Sequence, residues 1–439
     1  MPKGWEWCRV RDIAAVKGGK RLPKGVGFSP CRTAHAYIRV TDMKNHSINT
    51  DDLKYISEEV FLQIKNYTIS KDDLYVTIAG TIGVTGEVPT ELDGMNLTEN
   101  AVKITNIQIN KTYLCLIIQS EFGQQQFQDK THQVAMPKLA LERILSTLIP
   151  VCTITTQSAM VSKFVEMDSL INQIREEKEI LAETVSLTKS KILDLAIRGQ
   201  LVPQDPNDEP ASVLLERIRA EKEELIKAGK IKRDKKESII FRGEDNSYYQ
   251  QTGTLIENIN DWNLDDIPIN WELCCLGEIC DYGNCVNVDT KDIDEEAWVL
   301  DLEDIEKDSG KVIHKIRKYE RDSSSTKHLF KKGQVLYSKL RPYLNKVVLA
   351  DEEGFCTSEI LPLNFSNVVE PQYALYYLMS PTFLKYANRC SYGVKMPRLG
   401  TADGRKAVFP LPPFEEQRRI SQHISKIFIE IDNISNMLL

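Results

Sequence analysis

The segment with the strongest claim to chemistry is Leu411-Pro412-Pro413-Phe414. In enzymes that methylate an amino group of a base, a polar-Pro-Pro-aromatic segment serves the flipped base. Its Asn or Asp accepts from the amino group while the ring stacks on the base. Here the first position is leucine, which accepts nothing. The segment therefore reads as a cap before a C-terminal helix, with Glu415 and Glu416 favourable in the first turn. Gly25-Val26-Gly27 and Gly80-Thr81-Ile82-Gly83 are glycine turns outside any strand–GxGxxG–helix context, so they bind no nucleotide cofactor in this reading. There is no GxxxxGK[ST] loop and so no recognisable ATP motor. The six histidines are scattered and fit no triad. Among the ten cysteines there is no CxxC and no Cys/His cluster with zinc-ligand spacing. They read as small buried residues of a reducing compartment. No catalytic and no metal-ligating residue is assigned, and the chain is read as a non-enzyme.

The charge pattern points elsewhere. The net charge is −7, which on its own argues against a nucleic-acid binder. Placement says more than the sum. Lys3, Arg9, Arg11, Lys17, Lys20, Arg21, Lys24, Arg32 and Arg39 face only Glu6 and Asp12 in the first 39 positions. The stretch from Lys311 to Lys346 is again basic, and acidic residues gather between Asp289 and Glu306. Local basic surfaces on an acidic whole suit a protein that grips DNA with part of itself. Arg or Lys can read guanine bidentately, and Asn or Gln can read adenine. The DNA-contact candidates are Lys20, Arg21, Lys24, Arg39, Thr81 and Lys138 in the first part of the chain. In the last part they are Lys339, Arg341, Tyr343, Asn345, Lys346, Lys395 and Arg398.

Those candidates fall on a repeat. Trp5-Glu6-Trp7-Cys8 through Asp12-Ile13 matches Trp271-Glu272-Leu273-Cys274 through Glu278-Ile279. Leu74-Tyr75 and the turn Gly80–Gly83 fall opposite Leu336-Tyr337 and Pro342–Asn345. Val134-Ala135-Met136-Pro137-Lys138-Leu139 matches Val394-Lys395-Met396-Pro397-Arg398-Leu399. The offset stays at about 260 residues, which signals two copies of one module. At 439 residues, 42% hydrophobic and 27% charged, the chain has room for such cores. Within each copy, β-branched and aromatic runs such as Leu74–Ile78 and Gln334–Tyr337 read as strands, and Tyr113–Phe127 and Tyr373–Tyr386 as helices. The expected fold class is α/β (α+β), two copies, separated by long antiparallel coiled-coil helices.

Between the copies the period changes to three and four. The predicted seam runs through Phe164, Ile171, Ile174, Leu181, Val185, Ile192 and Leu195, on a helix over about 157–198. Gly199, Pro203 and Pro206 stop it. A second helix follows over about 210–228. Ile420, Ile424, Ile427 and Ile431 repeat the seam near the C-terminus. The domain reading is 1–150 first module, 151–245 helical spacer, 246–267 polar linker, 268–411 second module and 412–439 C-terminal helix.

The segment from Gly199-Gln200-Leu201-Val202-Pro203 to Glu216-Arg217-Ile218 resembles the central conserved region of type I restriction–modification specificity subunits, as does Lys222–Lys235. The openings around Trp5 and Trp271 are similar to the family's, as is Leu336–Lys346. Leu411-Pro412-Pro413-Phe414-Glu415-Glu416-Gln417 resembles the lead-in to its conserved helix. In the first copy that lead-in is degraded, to Ile149-Pro150-Val151-Cys152 and on to Gln157. The resemblance implies two target-recognition domains that read the halves of a bipartite, asymmetric site in double-stranded DNA. It implies that the spacer helices set the unread gap and dock two adenine-methyltransferase (M) subunits, joined by restriction/translocase (R) subunits. S-adenosylmethionine, ATP and Mg then belong to those partners, none bound by this chain. A bacterial or archaeal cytoplasm follows, with no membrane contact: no apolar run reaches about 18 residues, and the N-terminus lacks a secretion signal. The competing reading is an orphan or inactive DNA-binding scaffold of a related system.

Overall fold

The computed structural model describes residues 2–128, 138–229, 237–262, 264, 266–321 and 325–438. The Val134–Pro137 part of the repeat and Lys230–Lys235 lie outside the described residues. The chain divides into two compact units, Met1–Arg175 and Glu176–Leu439. The division falls inside a continuous helix, Ile154–Ile197.

The first unit opens with Glu6–Arg9 paired antiparallel to Leu148–Val151, so its two ends close on each other. Two four-stranded sheets lie between. In one, Ala101–Thr105 sits between Ala15–Gly18 and Leu74–Thr77, with Thr85–Glu87 at the edge. In the other, His35–Ile38 runs parallel to Met95–Leu97. The strand Leu74–Thr77 is buried at every position, as a continuous apolar run in a sheet covered on both faces should be. Helices Lys111–Gln119, Glu121–Gln128 and Leu141–Ser146 complete the unit.

The second unit rebuilds this plan. Glu272–Cys275 pairs antiparallel with Val408–Leu411. Trp298–Leu300 runs parallel to Gly354–Thr357, and Val335–Ser338 lies between Val347–Leu349 and Ile360–Leu363. Helices Pro371–Met379, Pro381–Cys390 and Thr401–Lys406 follow at the same offset as their counterparts.

The repeat extends to single hydrogen bonds. Tyr113 donates its hydroxyl to Pro150 O at 2.7 Å, and Tyr373 donates to Pro410 O at 2.9 Å. The Gln157 amide oxygen accepts from the Asn110 N–H at 2.9 Å, and its nitrogen donates to Cys152 O. Gln417 accepts from the Glu370 N–H at 2.8 Å and donates to Val368 O and Pro412 O. Both glutamines are fully buried. Each ties the start of a long helix to the start of another, using a side chain that can donate and accept at once. The degraded first lead-in thus keeps the residue that does this work.

Three expectations change. The end of the segment read as helical spacer and the segment read as polar linker together form a three-stranded antiparallel sheet, Ser238–Arg242, Tyr248–Thr252 and Leu255–Asn258. Ser238, Ile240 and Gln250 are buried, while Ile239, Phe241, Leu255 and Ile256 stay exposed, and Gln250 donates to Lys406 O at 2.7 Å. The seam of the spacer helix is also not continuous. Phe164, Ile171 and Ile174 are 49%, 51% and 53% exposed, so this part of the seam is not a core seam of the first unit. Leu181, Val185, Ile192 and Leu195 are half-buried. The positions sealed in the core are Leu193, Ala196 and Ile197, because the helix end meets both the C-terminal helix and the second module. Finally, Cys31 is exposed, and Cys8, Cys280, Cys285 and Cys390 are only half-buried.

The C-terminal helix, Phe414–Leu438, is 25 residues long against 44 for the spacer helix. It packs antiparallel on the end of the spacer. Ile420 and Ile424 are fully buried, Ile427 and Ile431 half-buried. Lys189 pairs with Asp432 and lies over the Phe428 ring, while beyond the spacer's end Arg419 holds Asp208 at 2.5 Å.

Candidate nucleic-acid interface

In the first unit the chain leaves strand Ala15–Gly18 through Gly19. A Cβ there would meet Thr98 O at 2.0 Å, so only glycine lets the two backbones approach. Lys20 N–H then bonds Leu97 O at 2.9 Å. This contact sets Lys20 and Arg21 beside Glu99. Arg21 Nε donates to Glu99 Oε1 at 2.6 Å, and Lys138 Nζ reaches Glu99 O at 3.4 Å. The Leu139 N–H bonds Ile78 O at 2.8 Å, which places Lys138 next to the turn that carries Thr81. Lys20, Arg21 and Lys138 line one shallow groove with Glu99. Partial burial pushes the Glu99 carboxyl up, but the Arg21 hydrogen bond, its own backbone N–H and Thr98 leave it net below its ordinary value. Lys24, three residues beyond Arg21, and Thr81, on the turn after Ile78, are exposed.

The second unit builds the corresponding place from strand Val335–Ser338 and the turn after it. Lys339 N–H bonds Glu359 O at 3.0 Å, Leu399 N–H bonds Lys339 O at 3.0 Å, and Arg341 N–H bonds Pro397 O at 2.7 Å. Lys339 and Arg398 therefore flank Glu359, and Arg341 sits on the adjoining turn. Arg398 grips Glu359 through Nε and Nη2, at 3.0 and 2.9 Å. That pairing holds the Glu359 carboxyl below the usual range. Arg341 sits at φ +49°, a left-handed conformation rare for a non-glycine residue and common at functional turns. Tyr343 is 46% exposed at the tip of the turn, and Lys395 is exposed on the neighbouring loop.

Three candidates have other work. Asn345 is buried, with φ +47°, and its amide donates to Met379 O at 3.1 Å. It fastens the turn to a helix and cannot reach a base. Lys346 donates to Leu302 O at 2.6 Å. Arg39 is committed to the buried Asp42, with Nη2–Oδ1 at 2.6 Å and Nε–Oδ2 at 3.1 Å, and also bonds Asp52. In the second unit the equivalent buried acid, Asp304, is held by Arg321 at 2.5 Å. The sequence reading missed Glu99 and Glu359. The signal is present, since both stand at the repeat offset, but each is a lone acid among cations and its pairing shows only in the fold.

Among the described residues, no group of three or more His, Cys, Asp or Glu side chains could hold a metal ion. No described helix is long and apolar enough to cross a membrane.

The chain is thus a duplicated α/β fold in which each module gathers cations around an equivalent glutamate, Glu99 or Glu359. It belongs to the family of the type I restriction modification DNA specificity domain, which its sequence matches twice, over residues 2–183 and 268–438. It is similar to the specificity subunit of the type I restriction enzyme EcoAI of Escherichia coli, with 30% identity over 260 residues. It is also 31% identical over 256 residues to that of EcoEI from the same organism. Each match takes in 56% of this chain but only 40% of the relative's length. A solved structure, described under complex assembly and conformational transition of the type I R-M system, covers the whole chain and 93% of its own, with a TM-score of 0.58. At 16% identity that likeness is one of fold.

Proposed function

We propose that this chain is the DNA-recognition subunit of a type I restriction–modification system, reading a bipartite, asymmetric site with one module per half. The observation that supports it best is that both modules gather cations around an equivalent glutamate, Glu99 in one and Glu359 in the other. Lys138 and Arg398 lie on matching loops of the duplicated fold; Lys20 and Arg21 join Lys138 from the loop after Ala15–Gly18, and Lys339 and Arg341 join Arg398 from the turn after Val335–Ser338. Phosphate contacts position such a protein and base contacts specify; each cluster has cations enough for both. The spacer helix, about 66 Å long at 1.5 Å per residue, sets the unread gap.

The chain itself catalyses nothing in this proposal. Methyl transfer, ATP use and cleavage belong to two adenine-methyltransferase subunits and to restriction/translocase subunits, with S-adenosylmethionine, ATP and Mg bound there. Their docking surface includes the exposed stripe Phe164, Met167, Ile171 and Ile174, a contiguous apolar face of the kind that marks protein contact. The setting is a bacterial or archaeal cytoplasm.

The test is a methylome. The chain is co-expressed with its cognate adenine methyltransferase in a methylation-free bacterial host, and modified adenines are mapped. A split motif with two defined halves and a fixed gap is expected. Absence of methylation, or a continuous motif, would sink the proposal and favour an inactive scaffold.

A further inference from the structure

Glu99 and Glu359 pose a physical question. Each is a part-exposed carboxylate at the centre of a cluster proposed to meet DNA. A carboxylate accepts hydrogen bonds only, and phosphate oxygens also only accept. Against the DNA backbone, either glutamate repels what the lysines around it attract. A cluster built only to hold phosphate would be better without it. Yet both units place one there, about 260 residues apart in the sequence. Both bind an arginine through Nε: Arg21 to Glu99 at 2.6 Å and Arg398 to Glu359 at 3.0 Å.

The geometry at Arg398 shows what the glutamate supplies. A guanidinium carries five N–H donors in a fixed fork. Glu359 takes the edge formed by Nε and Nη2. Nη1 makes only a long contact, 3.4 Å, to Met396 O. The end of the fork, with Nη1 and the second hydrogen of Nη2, stays open. Two parallel donors in one plane match guanine O6 and N7 in the major groove. With its side-on edge held, the arginine loses less rotamer freedom on binding, so the same contact discriminates more sharply. Lys339 and Lys395 remain for the phosphates.

Building on the DNA-reading proposal, we infer that Glu359 is a specificity-determining positioning residue that presents Arg398 end-on to a guanine. Glu99 does the same for Arg21 in the other half-site. Arg398 and Arg21 hold these carboxyls below their ordinary range, which favours the ionised form that braces the arginine.

The experiment selects bound duplexes from a randomised library, using the full chain assembled with its methyltransferase. Wild type, Arg398→Ala, Arg398→Lys and Glu359→Gln are compared. In all three variants the guanine preference should fall about tenfold or more at the same single position of one half-site. Preferences at the other positions should persist, which general damage to the module would not allow. Arg398→Lys keeps the charge but not the fork, so it separates reading from simple attraction. If Glu359→Gln selects the wild-type motif unchanged, or alters a different position from the Arg398 variants, the inference falls while the DNA-reading proposal stands. If it flattens the whole half-site together with a lower melting point, Glu359 is merely structural and the inference again falls. A wild-type complex that selects no motif overturns both.

Discussion

At the residue scale, the two modules show one carboxylate problem solved from two places in the chain. Asp42 and Asp304 are buried, 5% and 1% exposed, at the ends of equivalent strands. Each closes a short turn by accepting a backbone N–H, from Arg39 and Asp301 respectively. A buried carboxylate needs a cation. The first module supplies Arg39 from the same turn, the second Arg321 from a later one. Arg39→Ala should therefore act on stability, lowering the first unit's unfolding free energy by about 3 kcal/mol. Its effect on the selected DNA motif should be absent. Chemical denaturation and library selection on the same variant check both halves of that statement. From sequence, Arg39 looked like a DNA contact because a basic run says nothing about which members are already paired. Among the other candidates only Lys138 is marked by the repeat, which sets it opposite Arg398; Lys20 and Arg21 stand out by the run of charge alone. Asn345 misled because its side chain suits adenine, whereas its left-handed backbone and burial were invisible.

At the element scale, periodicity gave the long helices but could not say what covers them. The C-terminal helix is an example. Glu415 and Glu416 both stand in its first turn, where the helix dipole favours negative charge. Glu415 is exposed, but Glu416 is fully buried, and burial pushes its carboxyl above the ordinary range despite the opposing pull of Trp271, Gln204 and Arg419. The folded chain then holds that proton more tightly than the unfolded chain does. The contribution to stability is full below the unfolded glutamate pKa and declines as pH rises through the raised folded value. Glu416→Gln keeps an acceptor for Gln204 and removes the charge. Its melting midpoint should exceed wild type by about 1–3 °C near pH 7.5, and the gap should close below about pH 4. A differential scanning series over pH reads this directly. The spacer helix gives the complementary case. Phe164 and Ile171 are half-exposed, so Phe164→Asp and Ile171→Asp should leave the melting midpoint within about 1 °C. Each should weaken methyltransferase copurification at least tenfold, because a charge in a desolvated apolar interface has no partner. The three-stranded sheet over 238–258 was missed for a related reason. Tyr-Tyr-Gln-Gln-Thr is polar enough to pass for a loop, and only the burial of Ile240 and the Gln250 bond to Lys406 O show that it leans on a module.

At the scale of the whole molecule, duplication governs what can be exchanged. The second module's ends are closed by the antiparallel pair Glu272–Cys275 and Val408–Leu411, and Gln417 ties that closure to the helix beginning at Pro371. A transplanted module must therefore bring both strands of its closing pair, or one strand will face a partner of the wrong shape. It must also meet Gln417 with an N–H where the chain offers Glu370. Replacing residues 268–411 with the matching segment of another family member satisfies the first condition, and choosing a donor with a non-proline residue at the Glu370 position satisfies the second. Such a chimaera, co-expressed with the same methyltransferase, should methylate a site in which one half is new, the other half is unchanged and the gap keeps its length. A cut at 268–400, which brings Glu272–Cys275 but leaves Val408–Leu411 behind, should yield a chain that melts several degrees lower and methylates weakly. If the first chimaera changes both halves, the modules do not read separately, and the repeat would be a feature of the fold alone.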